Sequence, residues 1–166
     1  ATARRQPVTT TGLTMQLTQH FTLEEFTRSG KAAELGLDNT PPPELLPRLI
    51  LTAELLERIR ATLGVPVTVT SGYRSPKVNL AVGSSSGSDH PHGYAADIVA
   101  PAFGTPYEVA RALAPLVSTL GIGQIILEGI KGKRWVHVST RSPEKAINRI
   151  ITITDNGTLV GIQPVD

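Results

Sequence analysis

The apolar positions of the chain fall into one long helical stripe and a series of short strand-like runs. Leu45, Leu49, Thr52, Leu56, Ile59 and Leu63 recur at alternating spacings of four and three, which keeps them on one face of a helix. Leu46, Ile50, Ala53 and Leu55 widen that face, so the helix predicted over 44–63 is largely buried. Pro47 fits only in its first turn, and Gly64 followed by Pro66 stops it. A second helix is predicted over 106–120, with Val109, Leu113, Leu116, Val117 and Leu120 as its apolar stripe. Thr105-Pro106-Tyr107-Glu108 opens it as a capping box with proline at the first helical position, and Gly121 ends it. Upstream, Thr22-Leu23-Glu24-Glu25 predicts a capped short helix over 23–28 that ends near Gly30. One turn over 31–35 precedes the stiff Pro41-Pro42-Pro43 approach.

Strands are predicted where β-branched residues cluster. Val65–Thr70 is β-branched at five of its six positions. Tyr94–Val99 is a second short strand. Gly123–Glu128 and Arg134–Ser139 pair around a turn at 129–133. Ile150–Thr154 and Leu159–Ile162 flank Asp155-Asn156-Gly157, a strong hairpin signal. Between the first two strands, residues 77–82 make a turn of helix and 83–87 a Ser/Gly loop without phosphate-loop spacing. The sum is an α+β fold, with two substantial helices packed on a small, mainly antiparallel sheet.

The 166 residues suit a flexible N-terminal arm at 1–14 and a single domain over 15–166. Aromatics are scarce at 4%, so the core rests on Leu, Ile, Val and Ala. A net charge of +2, with no Lys/Arg cluster interleaved with aromatics, gives nucleic-acid binding no support. No apolar run is long enough to span a bilayer, and residues 1–14 lack a signal-peptide core. There is no cysteine, so any metal must be held by histidine and carboxylate.

Candidate chemistry concentrates in Ser88-Asp89-His90-Pro91-His92-Gly93-Tyr94-Ala95-Ala96-Asp97. His90 and Asp97 are seven apart, which neither one helix nor one strand brings together; a loop turning at Gly93 into a strand can. In the 134–139 strand, Trp135, His137 and Ser139 share a face opposite Val136 and Val138. If the valines face the helices, His137 faces a cleft.

Five segments together resemble the zinc D-Ala-D-Ala peptidases: Ser71-Gly72-Tyr73-Arg74; Asn79; Ser88-x-His90-x-x-Gly93-x-Ala95-x-Asp97; Gln124-Ile125-Ile126-x-Glu128; and Trp135-Val136-His137-Val138-Ser139. That family includes bacterial carboxypeptidases and dipeptidases and phage lysins acting on peptidoglycan stem peptides. Its fold is shared with hedgehog signalling domains and lysostaphin-type peptidases. The opening Phe21-Thr22-Leu23-Glu24-Glu25-Phe26 is similar to phage and bacterial members. The resemblance implies zinc bound by His90, Asp97 and His137. It implies Arg74 on the substrate carbonyl or carboxylate, where a guanidinium is a fixed, always-charged donor fork. Tyr73, Ser88 and Ser139 are the further candidates for contact with substrate or ligands. A peptidoglycan peptide would be the partner, and the setting periplasmic, extracellular or phage-associated.

One position departs from the pattern. Many family members carry Glu or Asp three residues before the last histidine, and this chain has Arg134 there. Glu128, at the end of the preceding strand, is the first candidate for the general base, with Asp89 and His92 as the others. The expected function is zinc-dependent hydrolysis of an amide bond in a stem peptide, by carboxypeptidase or endopeptidase action. The alternative is a non-catalytic zinc module, either a phage structural or tail component or a wall-binding domain, since a fold does not by itself fix a function.

Overall fold

The computed structural model describes residues 15–165. The arm expected at 1–14 lies outside the described residues. Helix α1 (Leu23–Thr27) begins at a reciprocal capping box: the Thr22 hydroxyl accepts the Glu25 N–H, and the Glu25 carboxylate accepts the Thr22 N–H. The turn expected at 31–35 is a full α2 (Gly30–Leu35), capped by Ser29. A 3₁₀ turn at Pro43–Leu45 feeds α3 (Leu46–Leu63), with Pro47 in the first turn, where its missing N–H leaves no gap. Leu49, Thr52, Leu56, Ile59 and Leu63 are all buried, as the stripe predicts.

Strand β1 (Thr68–Ser71) starts three residues later than predicted. Pro66 has no N–H to give a ladder, so Val65 and Pro66 only carry the chain from α3 to the sheet. Then follow α4 (Pro76–Ala81), a 3₁₀ turn at His90–His92 and β2 (Ala95–Val99). The second long helix is not continuous. It divides into α5 (Pro106–Leu113), a 3₁₀ turn at Ala114–Leu116 and α6 (Val117–Leu120). Pro115 is the cause, since it removes the donor to the preceding turn and crowds that turn's carbonyl.

Strands β3 (Gln124–Ile130), β4 (Lys133–Ser139), β5 (Arg149–Thr154) and β6 (Gly157–Val160) complete a six-stranded sheet of order β1-β2-β4-β3-β5-β6. All neighbours are antiparallel except β3 and β5. That parallel pair arises because the chain leaves β4, crosses over β3 through 140–148, and lays β5 on its far side. The α+β reading therefore holds, with a mixed pair that strand periodicity does not reveal.

The sheet has one apolar face and one chemical face. Ala96, Ile98, Ile125, Leu127, Val136 and Val138 are fully buried and join α3 and α5 in the core. The opposite face carries Asp97, Gln124, Ile126, Glu128, Trp135 and His137 into one cleft. Alternation along each strand produces this division. No described helix is long and apolar enough to cross a membrane.

Candidate metal centre

Pairing between strands brings the three metal candidates together. Asp97 on β2 is the direct cross-strand partner of His137 on β4, so both side chains emerge on the cleft side. His90 arrives from the 3₁₀ turn before β2. That turn closes at Gly93, which is buried with φ +80, and a Cβ there would lie 3.3 Å from Arg48 Cβ on α3. The glycine of the motif is thus required by both conformation and close packing. Thr52 on α3 donates to the Gly93 carbonyl at 2.7 Å, and the Arg48 guanidinium lies 4.8 Å from the Tyr94 ring centre. The long helix holds the loop from behind.

His90 Nε2 lies 3.1 Å from Asp97 Oδ1, His137 Nδ1 lies 3.0 Å from the same oxygen, and the two ring nitrogens are 3.2 Å apart. His90, Asp97 and His137 are 1%, 6% and 6% exposed, so water cannot neutralise this convergence. The other nitrogen of His90, Nδ1, sits 2.6 Å from the Gly72 carbonyl. A carbonyl can only accept, so Nδ1 carries the hydrogen and Nε2 presents a lone pair in the neutral ring. A lone pair, a carboxylate oxygen and a second imidazole nitrogen therefore face one point. Such a set is held by a cation at its centre, either a proton on His137 Nδ1, which then donates to Asp97 Oδ1, or a metal ion that replaces it. The donor spacing also suits zinc: ligands at 2.0–2.1 Å in a tetrahedron stand about 3.3 Å apart. The residues fit the metal, and the cleft side of the triad stays open.

The Ser-Gly-Tyr-Arg segment supports this from below. A Cβ on Gly72 would lie 2.6 Å from the Phe26 carbonyl oxygen, so only glycine lets the end of β1 approach α1. Tyr73 then donates its N–H to Phe26 O at 2.7 Å and turns its ring into the core, where it is 3% exposed. Tyr73 is not part of the cleft wall, contrary to the expectation of substrate contact. Arg74 is, and its Nε is buried without a hydrogen-bond partner among the described residues. Burial lowers the affinity of its guanidinium for its proton, while Asp97 and Glu128 nearby oppose that shift.

Glu128 lines the cleft on β3, directly opposite Trp135 and diagonal to His137. Burial, reinforced by the Asp97 charge, pushes its carboxyl up to about 7 against the pull of His137 and Arg74. The two other base candidates stand differently. His92 is exposed and outside the cleft wall. Asp89 is buried and tied to Lys145 and to the Ser139 hydroxyl, which donates at 2.7 Å. Burial alone would raise the Asp89 carboxyl, but Lys145, Ser139 and Arg141 outweigh it and hold it below its ordinary value. Ser139 is fully buried and serves Asp89 rather than the cleft. Ser88 does line the cleft, and its hydroxyl accepts the His90 N–H at 3.2 Å. Asn79 donates to the Ser85 carbonyl at 2.9 Å, holding the Ser/Gly loop at the rim.

Arg134 shares its strand face with Val136 rather than His137 and lines a separate groove with Pro164 and Val165. The departure from the family pattern therefore places no cation in the cleft. Sequence reasoning missed Arg141, Lys145 and Arg149, which all line the cleft. They lie on or just before β5, after the last recognisable motif, and no spacing rule connects them to it.

Residues 19–139 match the family model of Peptidase M15, and the chain belongs to that family. The family is zinc-dependent, and the His90–Asp97–His137 cluster supplies a matching metal site. No curated protein gives a significant match to the chain.

Proposed function

We propose that the protein is a zinc metallopeptidase that hydrolyses an amide bond in peptidoglycan stem peptides, at a D-Ala-D-Ala terminus or at an internal bond. The observation that carries this reading is the position of Glu128. A carboxyl poised near neutrality faces the open side of a three-acceptor metal site, in a cleft of about 490 Å³ that also holds Arg74.

His90, Asp97 and His137 would hold the zinc. When bound, zinc supplies a Lewis acid for the scissile carbonyl and lowers the pKa of water to about 7. The remaining roles belong to the chain. Glu128 takes the proton of the attacking water and delivers it to the departing nitrogen, as the C–O bond forms and the C–N bond breaks. Arg74 holds the carbonyl or carboxylate of the substrate and meets the negative charge that develops on oxygen. Gly72 fixes the His90 ring through its carbonyl, the outer-shell contact that orients such ligands. Trp135 walls the cleft beside Glu128.

The test uses zinc-loaded protein on purified peptidoglycan and on a D-Ala-D-Ala-ended peptide, with new amino and carboxyl ends read by mass spectrometry. Wild type should release products that vanish with chelator and with Glu128→Gln. Binding of zinc and wall fragments with no cleavage of either substrate would overturn the peptidase reading in favour of a non-catalytic zinc module.

A further inference from the structure

The cleft floor differs at its two ends. Along the sheet, the row Trp135–Glu128–Ile153 is followed by the row His137–Ile126–Ile151, and then by Gln124 beside Arg149. Ile126, Ile130 and Ile153 make an apolar shelf at and beyond the metal row on one side. The other side is polar and cationic.

Of the cations at that end, two are engaged. Lys145 bonds Asp89 and donates to the Gly87 carbonyl at 2.5 Å. Arg141 pairs with Asp89 at 3.5 Å and donates to the Ala146 carbonyl at 3.1 Å. Arg149 is different. Its backbone N–H is fixed to the Gly123 carbonyl at 3.0 Å, but its guanidinium has no hydrogen bond or ion pair among the described residues. Its neighbour Gln124 is 6% exposed, lines the cleft and has no side-chain hydrogen bond among the described residues. Arg149 is exposed at the mouth of the cleft and Gln124 lies on its floor, so the cleft wall presents an uncompensated positive charge beside an amide that opens on the same space. One ligand, a carboxylate, can accept from both side chains, a charge-assisted hydrogen bond from the guanidinium and a second from the amide.

We infer that Gln124 and Arg149 form a substrate-specificity subsite for a carboxylate on the peptide, separate from the carbonyl or carboxylate held by Arg74. Arg149 is two strands and one row from His137, so their backbones are roughly 12 Å apart. An arginine side chain covers about half of that, which places the carboxylate about one or two residues from the scissile bond. The ligand is thus an acidic stem peptide whose carboxylate near the cut is free rather than amidated. Gln124 lies within the family-matched segment 19–139 and Arg149 beyond it, so the charge of the subsite comes from the strand that follows the matched segment. The inference rests on the peptide-substrate reading above but not on catalysis.

Trp135 is the single tryptophan and lines the cleft, so its fluorescence reads occupancy directly. The experiment titrates wild type, Arg149→Ala, Arg149→Lys and Gln124→Ala with two synthetic peptides that differ only by carboxylate against carboxamide. Each protein is titrated zinc-loaded and metal-free, in the Glu128→Gln background where hydrolysis interferes. Wild type should bind the carboxylate form about tenfold tighter, in line with one charge-assisted hydrogen bond. Arg149→Ala should bind both forms equally, with the affinity for the carboxamide unchanged, and Arg149→Lys should regain part of the preference. Equal binding of both peptides by wild type, full preference in Arg149→Ala, or no binding of either overturns the subsite. Preference in binding without any hydrolysis by wild type overturns the peptidase reading and leaves the subsite standing.

Discussion

Glu128 and Trp135 are direct cross-strand partners, and that pairing sets Glu128 one diagonal step from His137. The carboxyl is therefore walled by an aromatic ring on one side and by the metal triad on the other. In Glu128→Gln, zinc content should stay at about one per chain while turnover falls by about 10²–10⁴-fold, the usual worth of a general base. Elemental analysis and peptide hydrolysis on the same preparation check both halves.

The raised carboxyl also has a signature in stability. In the metal-free protein the folded value of about 7 lies above the ordinary 4.5. The ionised form is thus disfavoured by folding, and stability is lost as pH rises through 7 but not below about 4.5. Glu128→Gln removes that loss. Urea melts of the chelated proteins should show the variant gaining on wild type between pH 4.5 and 8, by on the order of 3 kcal/mol. A difference that does not change with pH would mean that Glu128 is not desolvated.

Asp89 titrates in the opposite sense. Its folded value lies below the ordinary 3.8, so its contribution is complete above that value and is lost as pH falls through the folded one. Asp89→Asn should cost about 3 kcal/mol at pH 7, since Lys145 and Arg141 lose their buried partner. The gap to wild type should narrow in acid, read by denaturant melts from pH 7 to 2.5.

Gly72→Ala should be among the most damaging small substitutions in the protein. The new methyl meets the Phe26 backbone at 2.6–2.8 Å, so β1 or α1 must move, at a cost of about 1–3 kcal/mol. The Gly72 carbonyl moves with it, freeing the His90 ring. Zinc affinity should fall about 10–100-fold, as for loss of an outer-shell partner. Competition with a chromophoric chelator measures it.

His137→Ala should abolish stoichiometric zinc uptake, with little change in the far-UV signal, because the apolar side of β4 still packs through Val136 and Val138. Zinc at 1,000 times its dissociation constant should stabilise wild type by about 4 kcal/mol and this variant not at all. A thermal shift of equal size in both proteins would assign the metal elsewhere.

The elements legible in the sequence are those set by local rules. The stripe from Leu49 to Leu63 gives α3, and Thr22 and Glu25 give the first capping box. His90, Asp97, His137 and Arg74 are legible through their motif, and the cleft-facing side of His137 through strand alternation. Pro115, which splits the second helix, is plain in the sequence once its lost hydrogen bond is weighed against the apolar stripe. Tyr73 and Ser139 are misleading, because a motif records that a residue matters and not whether it faces substrate or core. The Asp89–Lys145–Arg141 network and the Gln124–Arg149 pair arise from the β3–β5 parallel crossover, a long-range event with no local sequence signal.

The hydroxyl of Thr52 on the Gly93 carbonyl has a kinetic consequence. The loop that carries His90 is fastened to a helix with seven buried residues, so it cannot swing out while α3 stays docked. Any release of the ion that requires His90 to swing away must then wait for a sub-global opening of the helix. Isotopically labelled zinc should trade places slowly, at the pace of the slowest amide protons in α3, and Thr52→Val should speed both clocks together.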